Sequence, residues 1–204
     1  MTAEMSAIAG ALIVGPVVLR LAHDHRTTPV QLGGTEAAAM VGLAGYLVAA
    51  AAGAGRLLLV APLATFGIAA ALVDVHERRL PNPLTGALTA LTAVTLAIAT
   101  LSSGDVEPAV RSGLAGLLVG GMAVLVKMIS PRSIGWGDVK LLPATVAALA
   151  WSDPITLYRG VVAWVLLLLV TLAGWKLAHF GRDETVPYGP ALVAGALGTL
   201  LVVT

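Results

Sequence analysis

The stretch LLLVAPLATFGIAAALVDVHERRLPN, residues 57 to 82, decides the fold. From Leu57 to Val73 it carries no charged side chain, and a helix of that length nearly crosses a hydrocarbon core of roughly 30 Å. It then closes on a carboxylate, Asp74, and turns basic at Arg78 and Arg79 before Leu80-Pro81-Asn82. Pro81 and Pro83 end the helical ladder, and Asn82 is a natural cap for a second helix. The stretch therefore reads as a spanning helix with an acidic group at its end, followed by a tight loop that folds the next helix back beside it. A carboxylate at the edge of hydrocarbon is costly and usually functional.

Composition extends this reading to the whole chain. Of 204 residues, 58% are hydrophobic and 11% charged, and the mean hydropathy is +0.93. Soluble domains carry about a quarter charged residues, so this is an integral membrane protein. The net charge is +1 with basic residues scattered, which gives no patch for nucleic acid. Cysteine is absent, which excludes disulfides, thiolate metal sites and a cysteine nucleophile.

Eight apolar segments are long enough to span or nearly span. They lie near Ala3 to Ala22, Ala37 to Gly53, Leu57 to Val75, Pro83 to Leu101, Ala109 to Ile129, Asp138 to Trp151, Ile155 to His179 and Tyr188 to Thr204. The expected fold is an all-α polytopic bundle of about eight helices, one domain over residues 1–204 without a separate soluble domain. Only Ala54-Gly55-Arg56 separates the second and third segments, so seven helices are also compatible.

With eight spans, Arg20, Arg26, Arg78, Arg79, Lys127, Arg132, Lys140, Lys176 and Arg182 share one face, while Arg56, Arg111 and Arg159 share the other. Nine of the 12 basic residues on one side mark it as cytoplasmic, with both termini outside. Glu4 precedes the first span and Arg20 follows it, the reverse of a cleavable signal peptide, so that span reads as retained.

The second notable carboxylate, Asp138, closes Gly135-Trp136-Gly137 and precedes Val139-Lys140, on the same predicted face as Asp74. The sixth segment is short and contains Pro143, so it crosses only if Ser133 to Gly137 dips inward, as backbone lining a polar cavity does. Asp138 is a plausible N-cap there, favoured as an anion by the helix dipole. Gly135 and Gly137 permit a sharp turn or the close approach of a substrate backbone. On its own this tetrad is equally a turn and a cap. Asp74 is equally a surface carboxylate paired with Arg78, worth only a few tenths of a kcal/mol.

Taken together, the two aspartates suggest an acid/base pair. At about 5 Å and an effective dielectric of about 20, their mutual repulsion when both are ionised is about 3 kcal/mol, which favours a shared proton if burial adds to it. One carboxylate then activates water while the other protonates the carbonyl oxygen or leaving amine. Asp138 reads as the base because a helix N-terminus favours its anion, and Asp74 as the acid, although such a pair titrates jointly.

This constellation resembles the prepilin peptidases, polytopic aspartic proteases of the GxGD type. Their first catalytic aspartate precedes a Pro-Asn or Pro-Asp by the spacing from Asp74 to Pro81-Asn82. Their Gly-x-Gly-Asp-x-Lys motif is matched by Gly135 to Lys140, and a later aromatic-Gly-Pro element by Tyr188-Gly189-Pro190. The resemblance implies catalysis by Asp74 and Asp138, with Gly135, Gly137, Lys140, Pro81, Asn82, Tyr188, Gly189 and Pro190 supporting the loop or substrate. It also implies substrates that are type IV pilin or pseudopilin precursors, cut after a glycine and before their hydrophobic segment. The enzyme would reside in the inner, cytoplasmic membrane with its active site toward the cytoplasm.

Many bacterial relatives also methylate the new N-terminus and resemble one another in a large insertion with two Cys-x-x-Cys pairs between the first two helices. Here that connection is His23 to Glu36, without cysteine. The chain is therefore expected to lack that insertion and to use no S-adenosylmethionine or other cofactor.

Two alternatives stand beside this reading. Pro190-Ala191-Leu192 is similar to the Pro-Ala-Leu element of presenilin-like proteases, yet Val73 precedes Asp74 where those have tyrosine. Intramembrane carboxylates also line proton or cation pathways in transporters, but the two aspartates here cluster at one face. His23, His25, His76 and His179 fall on the predicted cytoplasmic side; ordinary interfacial hydrogen bonds explain them better than a metal. Lys140 is read as holding the loop or a substrate carboxylate, or as snorkelling to water. Gly116 and Gly120 form a GxxxG expected to pack inside the bundle.

Overall fold

The computed structural model describes residues 20, 24, 56–78, 80–131, 134–178 and 188–202. Among these are six helices and no strand: α1 (Leu57–Glu77), α2 (Asn82–Ser103), α3 (Glu107–Ile129), α4 (Trp136–Ser152), α5 (Pro154–Ala178) and α6 (Gly189–Val202). Four of them, α1, α2, α3 and α5, are long and apolar enough to cross a membrane. These six correspond to the last six segments expected from hydropathy. Apart from Arg20 and Asp24, the first two, with His23 to Glu36 between them, lie outside the described residues, as do His179 and Arg182.

The π-helical turn Leu63–Gly67 widens α1 just after Pro62. Proline has no N–H to donate and its ring crowds the preceding turn, and a π turn accommodates that defect. One extra residue in a turn rotates everything downstream by about 100°. The π turn thus sets the face on which Asp74, about two turns later, lies, and that face is buried.

α6 forms the centre of the bundle, packing on α1, α4 and α5. Its small residues permit this: a Cβ on Gly195 would lie 2.9 Å from the Trp164 backbone of α5, and Val193 stands 3.3 Å from where Gly67 of α1 would carry one. Around it Leu63, Leu84, Leu88, Leu141 and Leu200 are fully buried. Buried hydroxyls bond back to the preceding turn, as Thr145 does to the Leu141 carbonyl at 2.9 Å and Thr199 to Gly195 at 2.8 Å, which removes polar groups from hydrocarbon.

α3 packs along α4 through the GxxxG, as expected. The Pro143 carbonyl lies 3.1 Å from a Cβ on Gly116, and the Pro143 ring 2.8 Å from one on Gly120. α3 and α5 turn their other faces outward, leaving Leu117, Leu118, Met122, Leu166 and Val170 exposed as a lipid-facing surface.

The helix ends at the face opposite Asp74 are tied by cations and caps. Arg56 donates to the Leu200 carbonyl at 2.7 Å, and Arg111 to Ala150 at 2.7 Å and Trp151 at 2.9 Å, so two arginines satisfy otherwise orphaned C-terminal carbonyls. Asp153, in the turn between α4 and α5, accepts from the Thr156 hydroxyl at 2.6 Å and N–H at 2.8 Å. Those hydrogen bonds hold its carboxyl below the usual range.

Candidate active site

α1 ends within one turn of Asp74. Arg78 adopts a left-handed conformation (φ 53°, ψ 36°) and donates its N–H to the Asp74 carbonyl at 2.8 Å. This reverses the chain at a cost that a non-glycine residue carries only where its surroundings hold it. The Arg78 guanidinium lies 5.1 Å from the Trp175 ring centre on α5, a cation–π contact that pins the turn. Leu80 and the buried, extended Pro81 follow, and α2 begins at Asn82 with Pro83 in its first turn.

Asn82 is therefore not the cap expected of it. Pro81 occupies that position, no side chain caps α2, and Asn82 is the first helical residue. Its Oδ1 instead accepts from the Lys140 Nζ at 2.8 Å, joining the start of α2 to the first turns of α4. Its amide oxygen is thereby committed to Lys140 on another helix and not to the N–H groups of its own first turn.

On α4 the helix starts two residues earlier than expected, at Trp136, with Gly135 as its extended N-cap (φ −74°, ψ 149°). Asp138 thus sits in the first turn rather than at the cap, and its carboxylate reaches back to the Gly135 N–H, the reciprocal half of a capping box. Lys127, at the end of α3, donates to the carbonyls of Pro131 and Ile134 and lies 5.9 Å from the Trp136 ring centre. It fastens the connection that delivers Gly135. Sequence reading missed this role because Lys127 counted only as a cytoplasmic charge.

Asp74, Asp138, Gly135, Gly137, Asn82, Leu80, Arg78 and Trp136 line one polar cavity of about 250 Å³. The two carboxylates are close enough for the charge on one to act on the other. Asp74 also accepts a hydrogen bond from the Gly189 N–H at 3.0 Å. Gly189 opens α6, so Asp74 faces a helix N-terminus just as Asp138 does, and the dipole argument that separated base from acid applies to both.

Leu80 is the unforeseen member of the site. A Cβ on Gly137 would stand 2.2 Å from the Leu80 Cβ, and one on Gly189 would stand 3.3 Å from the Leu80 Cδ2 and 3.0 Å from the Asp74 Oδ2. Leu80 thus lies against both glycines. Among the described residues the positive-φ glycine is Gly104, not Gly137, so Gly137 is required by the approach of Leu80 and not by a left-handed backbone. Tyr188 and Asp138 line a second, apolar cavity. Pro190 lies in the first turn of α6, half-buried.

No group of three or more metal-ligating side chains occurs among the described residues. His76 shares a hydrogen bond with the Leu72 carbonyl at 2.9 Å.

Residues 61–177 match the model of the type IV leader peptidase family. That range holds both aspartates and stops short of Tyr188-Gly189-Pro190. Two proteins from Burkholderia pseudomallei, strains 1026b and K96243, each named prepilin leader peptidase/N-methyltransferase, are 34% identical to the chain over 166 residues. The aligned part is 76% of this chain and 52% of theirs, so the chain spans about half the length of the curated relatives it matches. No solved structure matches it.

Proposed function

The chain belongs to the type IV leader peptidase family, and from that premise we propose that it is a membrane aspartic endopeptidase removing the leader of type IV pilin-like precursors. The single observation that carries the mechanism is the cavity lined by both Asp74 and Asp138. A pair of carboxylates sharing a proton performs both halves of amide hydrolysis: one, ionised, takes a proton from water, and the other, protonated, supports the developing oxyanion and supplies the leaving amine. Donors from Gly189 and Gly135 orient the two groups and leave their remaining oxygens for water and the scissile carbonyl.

The site works at the end of the bundle where α1 finishes and α4 and α6 begin. In the proposed orientation this end is cytoplasmic, as the excess of basic residues there favours, and the protein resides in the cytoplasmic membrane. Pilin or pseudopilin precursors would present the cut site at that surface, with the hydrophobic segment in the bilayer. Reconstituted protein should cut a precursor once, at the junction of basic leader and apolar segment. Intact precursor after prolonged incubation with folded protein would remove this reading.

A further inference from the structure

Asp138 lines two cavities. One is the polar cavity shared with Asp74; the other is an apolar groove of about 290 Å³ among α3, α4, α5 and α6. Tyr188 and Leu172 accompany Asp138 in its lining, with Leu142, Leu192 and Trp164. Asp138 and Leu168 are equidistant in sequence from Asp153, the turn joining the antiparallel helices α4 and α5, and so are Leu142 and Trp164. The groove therefore extends about a turn to either side of the carboxylate's level, from Leu172 at its mouth to Trp164 inside the bundle. Trp164, Leu168 and Leu172 form one stripe of α5 about 12 Å long.

The Trp164 indole N–H is buried and has no acceptor among the described residues. Buried donors in folded proteins are nearly always paired, and a lipid acyl chain offers no acceptor, whereas a peptide does at each carbonyl. In the cleavage proposed above, a basic leader precedes the scissile bond and an apolar segment follows it. Placing the charged part in an apolar groove would cost its hydration without return.

We propose that this groove is the subsite for the first apolar side chain after the scissile bond, with Trp164 donating to a carbonyl of the same peptide. The inference rests on the leader peptidase reading and adds the residues that select the substrate: Leu168 and Leu172 set the size accepted, and Trp164 sets the depth.

A reciprocal size swap tests it. Reconstituted wild type, Leu168→Ala and Leu168→Phe are assayed on two leader peptides that differ only in the first residue after the cut, alanine or tryptophan. The Trp-to-Ala ratio of kcat/KM should rise about tenfold in Leu168→Ala and fall about tenfold in Leu168→Phe, the scale of effect that small changes in an apolar pocket produce. Rates that change in parallel, leaving the ratio unmoved, overturn the subsite while the peptidase reading stands. An unmoved ratio with co-purified phospholipid lost from Leu168→Phe assigns the groove to a lipid chain and overturns it equally. Wild-type protein inactive on every leader peptide removes the peptidase reading and the subsite together. Should Leu168→Phe not fold, Leu172→Ala replaces it, with a raised ratio expected and an unmoved one decisive against. Trp164→Phe keeps a ring and deletes the donor, so it should lower kcat/KM on both peptides about three- to tenfold; undiminished turnover overturns the hydrogen bond.

Discussion

The Gly189 N–H donates to the Asp74 Oδ2 at 3.0 Å, a bond between residues 115 positions apart. It ties the last turn of α1 to the first of α6 and leaves no room for a side chain, since a Cβ at Gly189 would lie 3.0 Å from that same oxygen. Gly189→Ala should therefore keep the helices inserted, cost about 1–3 kcal/mol from overpacking, and cut leader cleavage at least about tenfold by displacing the carboxylate. Cleavage kinetics beside detergent thermal melts check this, and wild-type kcat/KM in a folded variant would show that Asp74 needs no such support.

Gly137 and Leu80 should behave as a coupled pair. Gly137→Ala sets a methyl 2.2 Å from the Leu80 Cβ, and nothing at the tip of a flexible side chain relieves that. Cleavage should be nearly lost in Gly137→Ala, partly restored when combined with Leu80→Gly, and not restored by Leu80→Ala, which retains the clashing atom. A double-mutant cycle reads this directly, and equal behaviour of the two Leu80 variants would contradict the contact.

Gly120 offers a stability prediction away from both aspartates. The Pro143 ring stands 2.8 Å from where its Cβ would be, so Gly120→Val should force α3 off α4 and destabilise the bundle by about 1–3 kcal/mol. An unaltered melting temperature would mean that the two helices separate without penalty.

Orientation is testable because the chain contains no cysteine. Ser130 and Ser102 are both exposed, beside opposite ends of α3. In the proposed topology Ser130→Cys reacts with an impermeant thiol reagent only from the cytoplasmic side, and Ser102→Cys only from the outside. The opposite pattern would reverse the orientation.

Much of this was legible in the residues and some was not, for identifiable reasons. Charge-free runs bounded by Arg, Asp and Pro located α1 to α6 within a few residues, because hydrocarbon forbids unpaired charge and open backbone alike. The same reading paired Asp74 with Asp138 through their predicted face. Local chemistry was harder: Asn82 reads as a cap because its partner Lys140 lies 58 positions away on another helix, and Asp138 reads as a cap although Gly135 occupies that place. The π turn after Pro62 depends on how one defect is absorbed, Leu80 on a contact between distant segments, and Lys127 on a loop whose path sequence does not specify.

The central claim is that Asp74 and Asp138 act as one acid/base unit, and the most direct measurement is leader cleavage by Asp74→Asn and Asp138→Asn. Asparagine keeps the size of aspartate and much of its hydrogen bonding but cannot exchange the proton. Asparagine carbonyl oxygens can still accept from Gly189 and Gly135, so both variants should insert and melt near wild type. Each should abolish cleavage, and the double variant should be scarcely worse, as expected for members of one catalytic unit. Robust cleavage by either single variant would contradict the account.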